Sequence, residues 1–321
     1  MQRLAVLGFV ALLLSLPAGA GDARPAAPTA IFYYPWYGTV ARDGSYQHWA
    51  QNGHTPPADI ASDFYPLRGA YSSDDPHILD AQMTEIAGTG VREVIVSWWG
   101  AGSREAARLP AVMKAARAHG LQVAVHLEPY DGRTIPSTAA DIAALQSLGV
   151  TDFYVYHPMD FAAADWANLN AKLHGVRMFA ETTLVGFAKK GSFAGVYSYD
   201  IRVTGADKFA RLCTQAHIQQ LLCLPSVGPG FSDRRATGNM DVKPRRRGAT
   251  YDAMWSAAIR AGADGVTITS FNEWHEGTQI EPARRLAGYK SYDGAWDLHR
   301  GRAARAYLTR TAYWTARFGA S

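Results

Sequence analysis

Short apolar runs alternate with longer stretches of helical periodicity along almost the whole chain. The runs cover Ala30–Tyr37, Arg92–Trp99, Leu121–Tyr130, Asp152–His157, Val176–Thr182, Gly195–Asp200, Leu221–Pro229 and Asp264–Phe271. They are rich in β-branched and aromatic residues and bounded by Gly, Asp or Pro, which is the signature of strands. Near-continuous apolarity suits parallel strands covered on both faces. The intervening patterns read as helices. Ser73–Gly90 opens on cap chemistry at Ser73 and Asp74 and closes at glycine; Ser103–Gly120 and Ser137–Gly149 also end at glycine. Thr250–Ala263 precedes the eighth strand, and Gly294–Phe318 closes the chain. Eight strands alternating with helices predict an α/β fold, a single (β/α)8 TIM barrel. Extended loops follow strand one (Gly38–Tyr71) and strand seven (Gly228–Gly248).

The N-terminus breaks this rhythm. Arg3 precedes an apolar run from Leu4 to Leu16, then Pro17 and the small residues Ala18, Gly19 and Ala20. That is the pattern of a secretory leader cut after Ala20, and the run is shorter than the ~20 residues that span a bilayer. The expected plan is a signal peptide over 1–20, a flexible tail over 21–29 and one domain over 30–321. The mature protein is expected to be secreted or periplasmic, free of the membrane and monomeric.

Composition changes the picture little. The net charge is +4, and the basic cluster Lys243–Gly248 has no aromatic-interleaved basic face beside it, so nucleic acid is not an expected partner. Cys213 and Cys223, placed on a helix and in the next strand, read as buried free thiols, although an oxidising compartment permits a bridge. No Cys/His spacing fits zinc, and the sequence at His275 lacks the second histidine of H-E-x-x-H. No metal and no cofactor are expected.

In such a barrel the C-terminal strand ends carry function. Here they present Tyr34, Trp36 and Tyr37; Trp98 and Trp99; His126, Glu128 and Tyr130; Tyr156 and His157; Glu181; Tyr197, Tyr199 and Asp200; and finally Asn272, Glu273, Trp274, His275 and Glu276. Acids and aromatics ring one mouth. Aromatic rings stack on the C–H faces of sugars, and carboxylates and amides bind the hydroxyls. Hydrolysis of a glycosidic bond takes two carboxyl groups. Glu273 and Glu276 are three residues apart, a spacing that shares one face if the segment turns helically. Glu281 before Pro282 reads instead as a cap or salt-bridge partner, and His126 and His157 as satisfied pocket histidines.

The motifs Phe32–Gly38, Tyr71–Met83, Val96–Gly100, His126–Arg133, Phe153–Tyr156, Leu224–Arg235 and Thr269–Ala283 together resemble glycoside hydrolase family 99, the endo-α-mannosidase/endo-α-mannanase family. The resemblance implies retaining, endo-acting cleavage of α-mannosidic bonds in an oligosaccharide or polysaccharide. It implies Glu273 as a base on the sugar's own 2-hydroxyl, Glu276 as the acid/base, and a 1,2-anhydro sugar between the two steps. It further implies Tyr34, Trp98, Glu128 and Tyr199 around the sugar on the non-reducing side, Asn272 on a hydroxyl beside the pair, and Asp233 and Arg234 toward the leaving group. Where the family commonly carries an Asp-Ser-Tyr-like stretch after Phe153–Tyr156, this chain has His157-Pro158-Met159-Asp160. That difference leaves a mannan backbone and a glucosylated N-glycan branch both open. A retaining glycosidase with Glu273 as a direct nucleophile and a non-catalytic sugar-binding barrel fit the same residues.

Overall fold

The computed structural model describes residues 29–320. The leader and nearly all of the tail expected at the N-terminus lie outside the described residues. Nine strand segments form one parallel sheet: β1 (Thr29–Tyr33), β2 (Glu93–Trp98), β3 (Gln122–Leu127), β4 (Asp152–Val155), β5 (Arg177–Glu181), β6 (Gly195–Tyr197), β7 (Leu222–Leu224), β8 (Ser226–Val227) and β9 (Val266–Ile268). β7 pairs with β6, β8 pairs with β9, and β9 pairs with β1. Pro225 separates β7 from β8 because proline has no N–H for the ladder. The two segments are therefore one interrupted strand, and the eight-strand (β/α)8 reading holds.

A helix follows each strand: α1 (Pro76–Gly88), α2 (Arg104–Ala118), α3 (Ile135–Ser147), α4 (Ala163–Asn170), α5 (Val185–Lys190), α6 (Phe209–Ile218), α7 (Ala249–Arg260) and α8 (Ala306–Phe318). Three details depart from the sequence reading. The cap of α1 is Asp75, whose side chain accepts from the His77 N–H, with Pro76 pre-set at the first helical position. The closing pattern becomes helical only at Ala306, after short 3-10 turns. Cys213 on α6 and Cys223 on β7 form a disulfide, so they are not free thiols. Among the described residues no helix is long and apolar enough to cross a membrane.

Strand alternation sorts the core into two layers. Ala30, Phe32, Ile95, Ala124, Tyr154, Phe179 and Tyr197 fill the barrel interior. Ile31, Val94, Val96, Val123, Val125, Phe153 and Val196 pack outward against the helices. That parity decides which strand-end side chains reach the mouth.

Candidate active site

The inward parity of β1, β2, β3 and β6 delivers Tyr34, Trp99, Glu128 and Tyr199 to the C-terminal mouth. There a cavity of about 550 Å³ is lined by Tyr34, Trp36, His48, Gln51, Trp99, Glu105, His126, Glu128, Tyr156, Tyr199, Glu273, His275 and Glu276. Its wall contains no lysine or arginine.

The segment after β9 is pinned on every side. Ser270 Oγ accepts from Glu273 N at 2.8 Å, and Ser270 N donates to Thr278 O at 3.0 Å. Phe271 N donates to Phe32 O at 2.8 Å, which ties the segment to β1. Tyr37 Oη donates to Asn272 O at 3.0 Å. Arg245 Nη2 donates to the carbonyls of Gly277 (2.9 Å) and Gln279 (2.6 Å). Between these anchors Trp274–Gly277 makes a hydrogen-bonded turn, not a continuing helix, and it still brings Glu273 and Glu276 to one cavity. Gly277 is required there. Its φ is +61°, and a Cβ would meet Ser232 O at 2.9 Å.

Both carboxyls are displaced from ordinary carboxylate behaviour. Glu273 is pushed well above the usual range, first by burial and then by the charge of Glu276; the N–H groups of His275 and Glu276 oppose this. Glu276 is pushed up to about 7, by burial first and then by Asp200, with Arg202 pulling the other way. Burial and neighbouring negative charge raise the proton affinity of both carboxyls in this cavity. That is what an acid and a base working together need.

The surrounding polar groups form a continuous frame. Tyr34 and Tyr199 share a hydroxyl–hydroxyl bond of 2.5 Å, and Tyr199 Oη lies 3.5 Å from Glu276 Oε2. Glu128 Oε1 accepts from Ser97 Oγ at 3.1 Å and sits 2.8 Å from His126 Nδ1, while His126 Nε2 lies 2.9 Å from Tyr197 Oη. His126 is hydrogen-bonded through Nε2 alone, its Nδ1 lying close to Glu128 without a hydrogen bond, so the expected satisfied histidine is only half so; Tyr197 is its fully buried partner, with Tyr199 the tyrosine on the cavity. Glu281 is fully buried, with its carboxylate on Tyr71, Gln82, Trp274 and Arg68, so it is a salt-bridge partner and not part of the cavity wall.

Four of the expected substrate-binding residues do not line the cavity. Trp98 falls on the outward parity of β2 and packs in the helix-facing core; Trp99 lines the cavity instead, with its Nε1 donating to Ser97 Oγ at 2.7 Å. Two consecutive tryptophans make the parity unreadable from sequence, and a slip of one residue exchanges the faces. Asn272 is fully buried; it accepts from Tyr34 N (2.8 Å) and donates to Tyr34 O (3.0 Å), so its amide is spent holding Tyr34. Asp233 accepts from Thr237 Oγ1 at 2.9 Å and is off the cavity wall, although its charge acts on Glu276 and Arg202, and the exposed Arg234 does not reach the wall. His48, Gln51 and Glu105 line the cavity without having been singled out. The first two sit in the insertion after β1. Glu105 reads in sequence as an ordinary first-turn helix acid.

A closed parallel barrel with paired carboxyls in an aromatic, cation-free cleft at its C-terminal mouth is a glycoside hydrolase. The sequence profile of Glycosyl hydrolase family 99 matches residues 27–320, and the chain belongs to that family. The glycoprotein endo-alpha-1,2-mannosidase-like protein of Danio rerio is 32% identical over 310 residues, covering 79% of this chain and 70% of its own. The glycoprotein endo-alpha-1,2-mannosidase of Xenopus laevis is 31% identical over 310 residues, covering 79% and 69%. Among solved structures, the family 99 endo-alpha-mannosidase from Bacteroides thetaiotaomicron superposes with a TM-score of 0.81 at 30% identity, covering 91% of this chain and 97% of that one.

Proposed function

We propose that this protein is a secreted, endo-acting, retaining α-mannosidase that cleaves internal α-mannosidic bonds of a mannan or an N-glycan. The observation that carries the reading is the placement of Glu273 and Glu276 on one cavity, both with raised proton affinity and with no lysine or arginine on the wall. In the first step Glu273 takes the proton of the 2-hydroxyl, O2 closes onto C1, and Glu276 gives its proton to the departing oxygen. In the second, Glu276 takes a proton from the water that attacks C1, and Glu273 returns its proton to O2. C1 is inverted twice, so its configuration is retained. The burial of Glu273 supports a base role, because a desolvated carboxylate gains proton affinity. Tyr34, Glu128 and Tyr199 hold the sugar on the non-reducing side. The relatives in zebrafish and frog named above support an α-mannoside as the substrate. The disulfide between Cys213 and Cys223 supports export, since such bonds persist in oxidising compartments.

Product analysis on α-mannan and on a glucosylated mannose-rich N-glycan, comparing wild type with Glu276→Gln, tests the reading. Oligosaccharides released from one substrate and lost in the variant are the expected result. No product from either substrate overturns it. A substrate lacking the 2-hydroxyl separates this mechanism from direct attack by Glu273: it is expected to resist cleavage altogether.

A further inference from the structure

We infer that Glu105 is a specificity-determining residue of a distal sugar subsite at the end of the cavity away from Glu276, an inference that rests on the glycosidase reading above. Glu105 stands in the first turn of α2 and is only 7% exposed, and it lines the same cavity as the catalytic pair. Among the described residues no donor reaches its carboxylate. This is unlike Glu128, which accepts from Ser97 and lies beside His126, and Glu281, which is held by four groups. The Glu105 carboxylate opens onto the cavity with its acceptor capacity unfilled by the protein. A ligand that offers hydroxyl donors fills that capacity.

The cavity has a direction. Its Tyr156, Tyr199 and Glu276 end is continuous with a smaller recess formed with Asp200, Arg202 and Phe231. The acid that protonates the leaving oxygen therefore stands at the junction, with the leaving group toward Arg202. Glu105, Gln51 and His48 line the main cavity but not that recess, which assigns them to the non-reducing side.

That side also has a platform. The Trp36 ring is already occupied, with His48 stacked on it at 4.5 Å and Tyr34 at 4.6 Å. Trp99 is less crowded, partly exposed, and locked in place through Ser97. A sugar ring lying on Trp99 would present its hydroxyl edge to Glu105 and Gln51. Because no lysine or arginine lines the cavity wall, the unit accepted there is a neutral, hydroxyl-bearing sugar; a phosphorylated one would bring like charges together.

The test uses the full mature enzyme and α-mannooligosaccharides of increasing length on the non-reducing side, with kcat/KM read for wild type, Glu105→Ala and the isosteric Glu105→Gln. For wild type, kcat/KM is expected to step up when the added unit reaches the distal end. Glu105→Ala is expected to reduce the ratio of long to short substrate by about tenfold to a hundredfold, the range for losing a charge-assisted bond at a site built for a hydroxyl. Glu105→Gln, which keeps one acceptor, is expected to lose less. An unchanged ratio in both variants, with wild type active, overturns the subsite and leaves the glycosidase reading standing. No cleavage of any member of the series by wild type overturns that reading and the subsite with it.

Discussion

Glu276 and Glu281 lie in one short segment, and burial pushes both up to about 7. Their surroundings divide them. Glu281 is fully buried and its oxygens are taken: Tyr71 Oη at 2.7 Å, Gln82 Nε2 at 2.8 Å, Trp274 Nε1 at 2.9 Å and Arg68 at 3.3 Å. Glu276 keeps an open face on the cavity, and its one side-chain hydrogen bond is the long contact with Tyr199. A raised proton affinity alone does not mark a reacting group. A buried carboxyl whose bonding capacity is filled by its own protein braces the structure; one left open waits for a substrate. The strut and the proposed reacting group also share a support, because Glu281 grips Trp274, which stands between Glu273 and His275.

The largest expected contrast is in activity. Glu273→Gln and Glu276→Gln should each lower kcat/KM on the natural linkage by about 10²–10⁴-fold, the range for removing a general acid or base. Both should melt near the wild-type temperature, because each removes a desolvated charge, and the amide oxygen of Glu273→Gln can still accept the His275 N–H that Glu273 Oε1 takes at 3.0 Å. A leaving group that needs no proton, such as fluoride, should narrow the deficit of Glu276→Gln and leave that of Glu273→Gln in place. Equal deficits on both substrates would remove the assignment of Glu276 as the acid.

Glu281→Ala should reverse the pattern. It takes the acceptor from the hydroxyl of Tyr71 and the amide of Gln82 in a buried site and leaves Arg68 with Glu85 alone, at a cost of about 2–4 kcal/mol of stability. Denaturant unfolding followed by tryptophan fluorescence measures it. Activity should fall much less than in the Glu273 and Glu276 variants while the protein stays folded. A large loss of kcat at unchanged stability would place Glu281 in the reaction.

The sequence made this contrast only half legible. Strand count, loop insertions and the acid-rich segment were visible, because a (β/α)8 chain writes its strands as apolar runs and its function at their C-terminal ends. That Glu281 would be a strut was legible from its place before Pro282 and outside the strand end. That Asn272 would spend its amide on Tyr34 was not, since the bond links positions 238 residues apart in sequence. Glu105 was hidden for another reason. An acid in the first turn of a helix is the ordinary complement to the helix dipole, and only the packed barrel shows that this one faces the cavity. The disulfide was missed because pairing depends on how α6 lies against β7, which spacing alone does not fix.

The pH dependence of stability sharpens the comparison further. Glu281 titrates at about 7 in the folded protein against 4.5 for the ordinary carboxyl. Between those values the native state binds more protons than the unfolded chain, so stability falls as pH rises through the window. The full shift corresponds to about 3 kcal/mol. Glu93, pushed up to about 8 on the barrel floor, and Glu276 tilt the wild-type curve the same way. The slope belonging to Glu281 is therefore the difference between wild type and Glu281→Gln, read as melting temperature from pH 4.5 to 7. Parallel curves would mean that Glu281 is ionised throughout that range.

The smallest expected effect is at Trp98, and it tests the parity on which the cavity depends. Trp98 and Trp99 are adjacent and chemically identical. β2 turns one toward the helix layer and the other toward the cavity. Trp98→Phe removes packed volume from the outer core, at about 1–3 kcal/mol of stability, and should change kcat/KM by less than about threefold, the scale of a fraction of 1.4 kcal/mol in transition-state binding. Trp99→Phe leaves the outer core intact. It takes away the indole N–H that binds Ser97 Oγ, and with it one support of the Ser97–Glu128 contact. It should therefore lower kcat/KM by about tenfold, the loss of one ordinary hydrogen bond's worth of positioning, with little change in melting temperature. If the two variants exchanged these phenotypes, the strand would run one residue out of register, and Glu93, Ile95 and Ser97 would all face the helices.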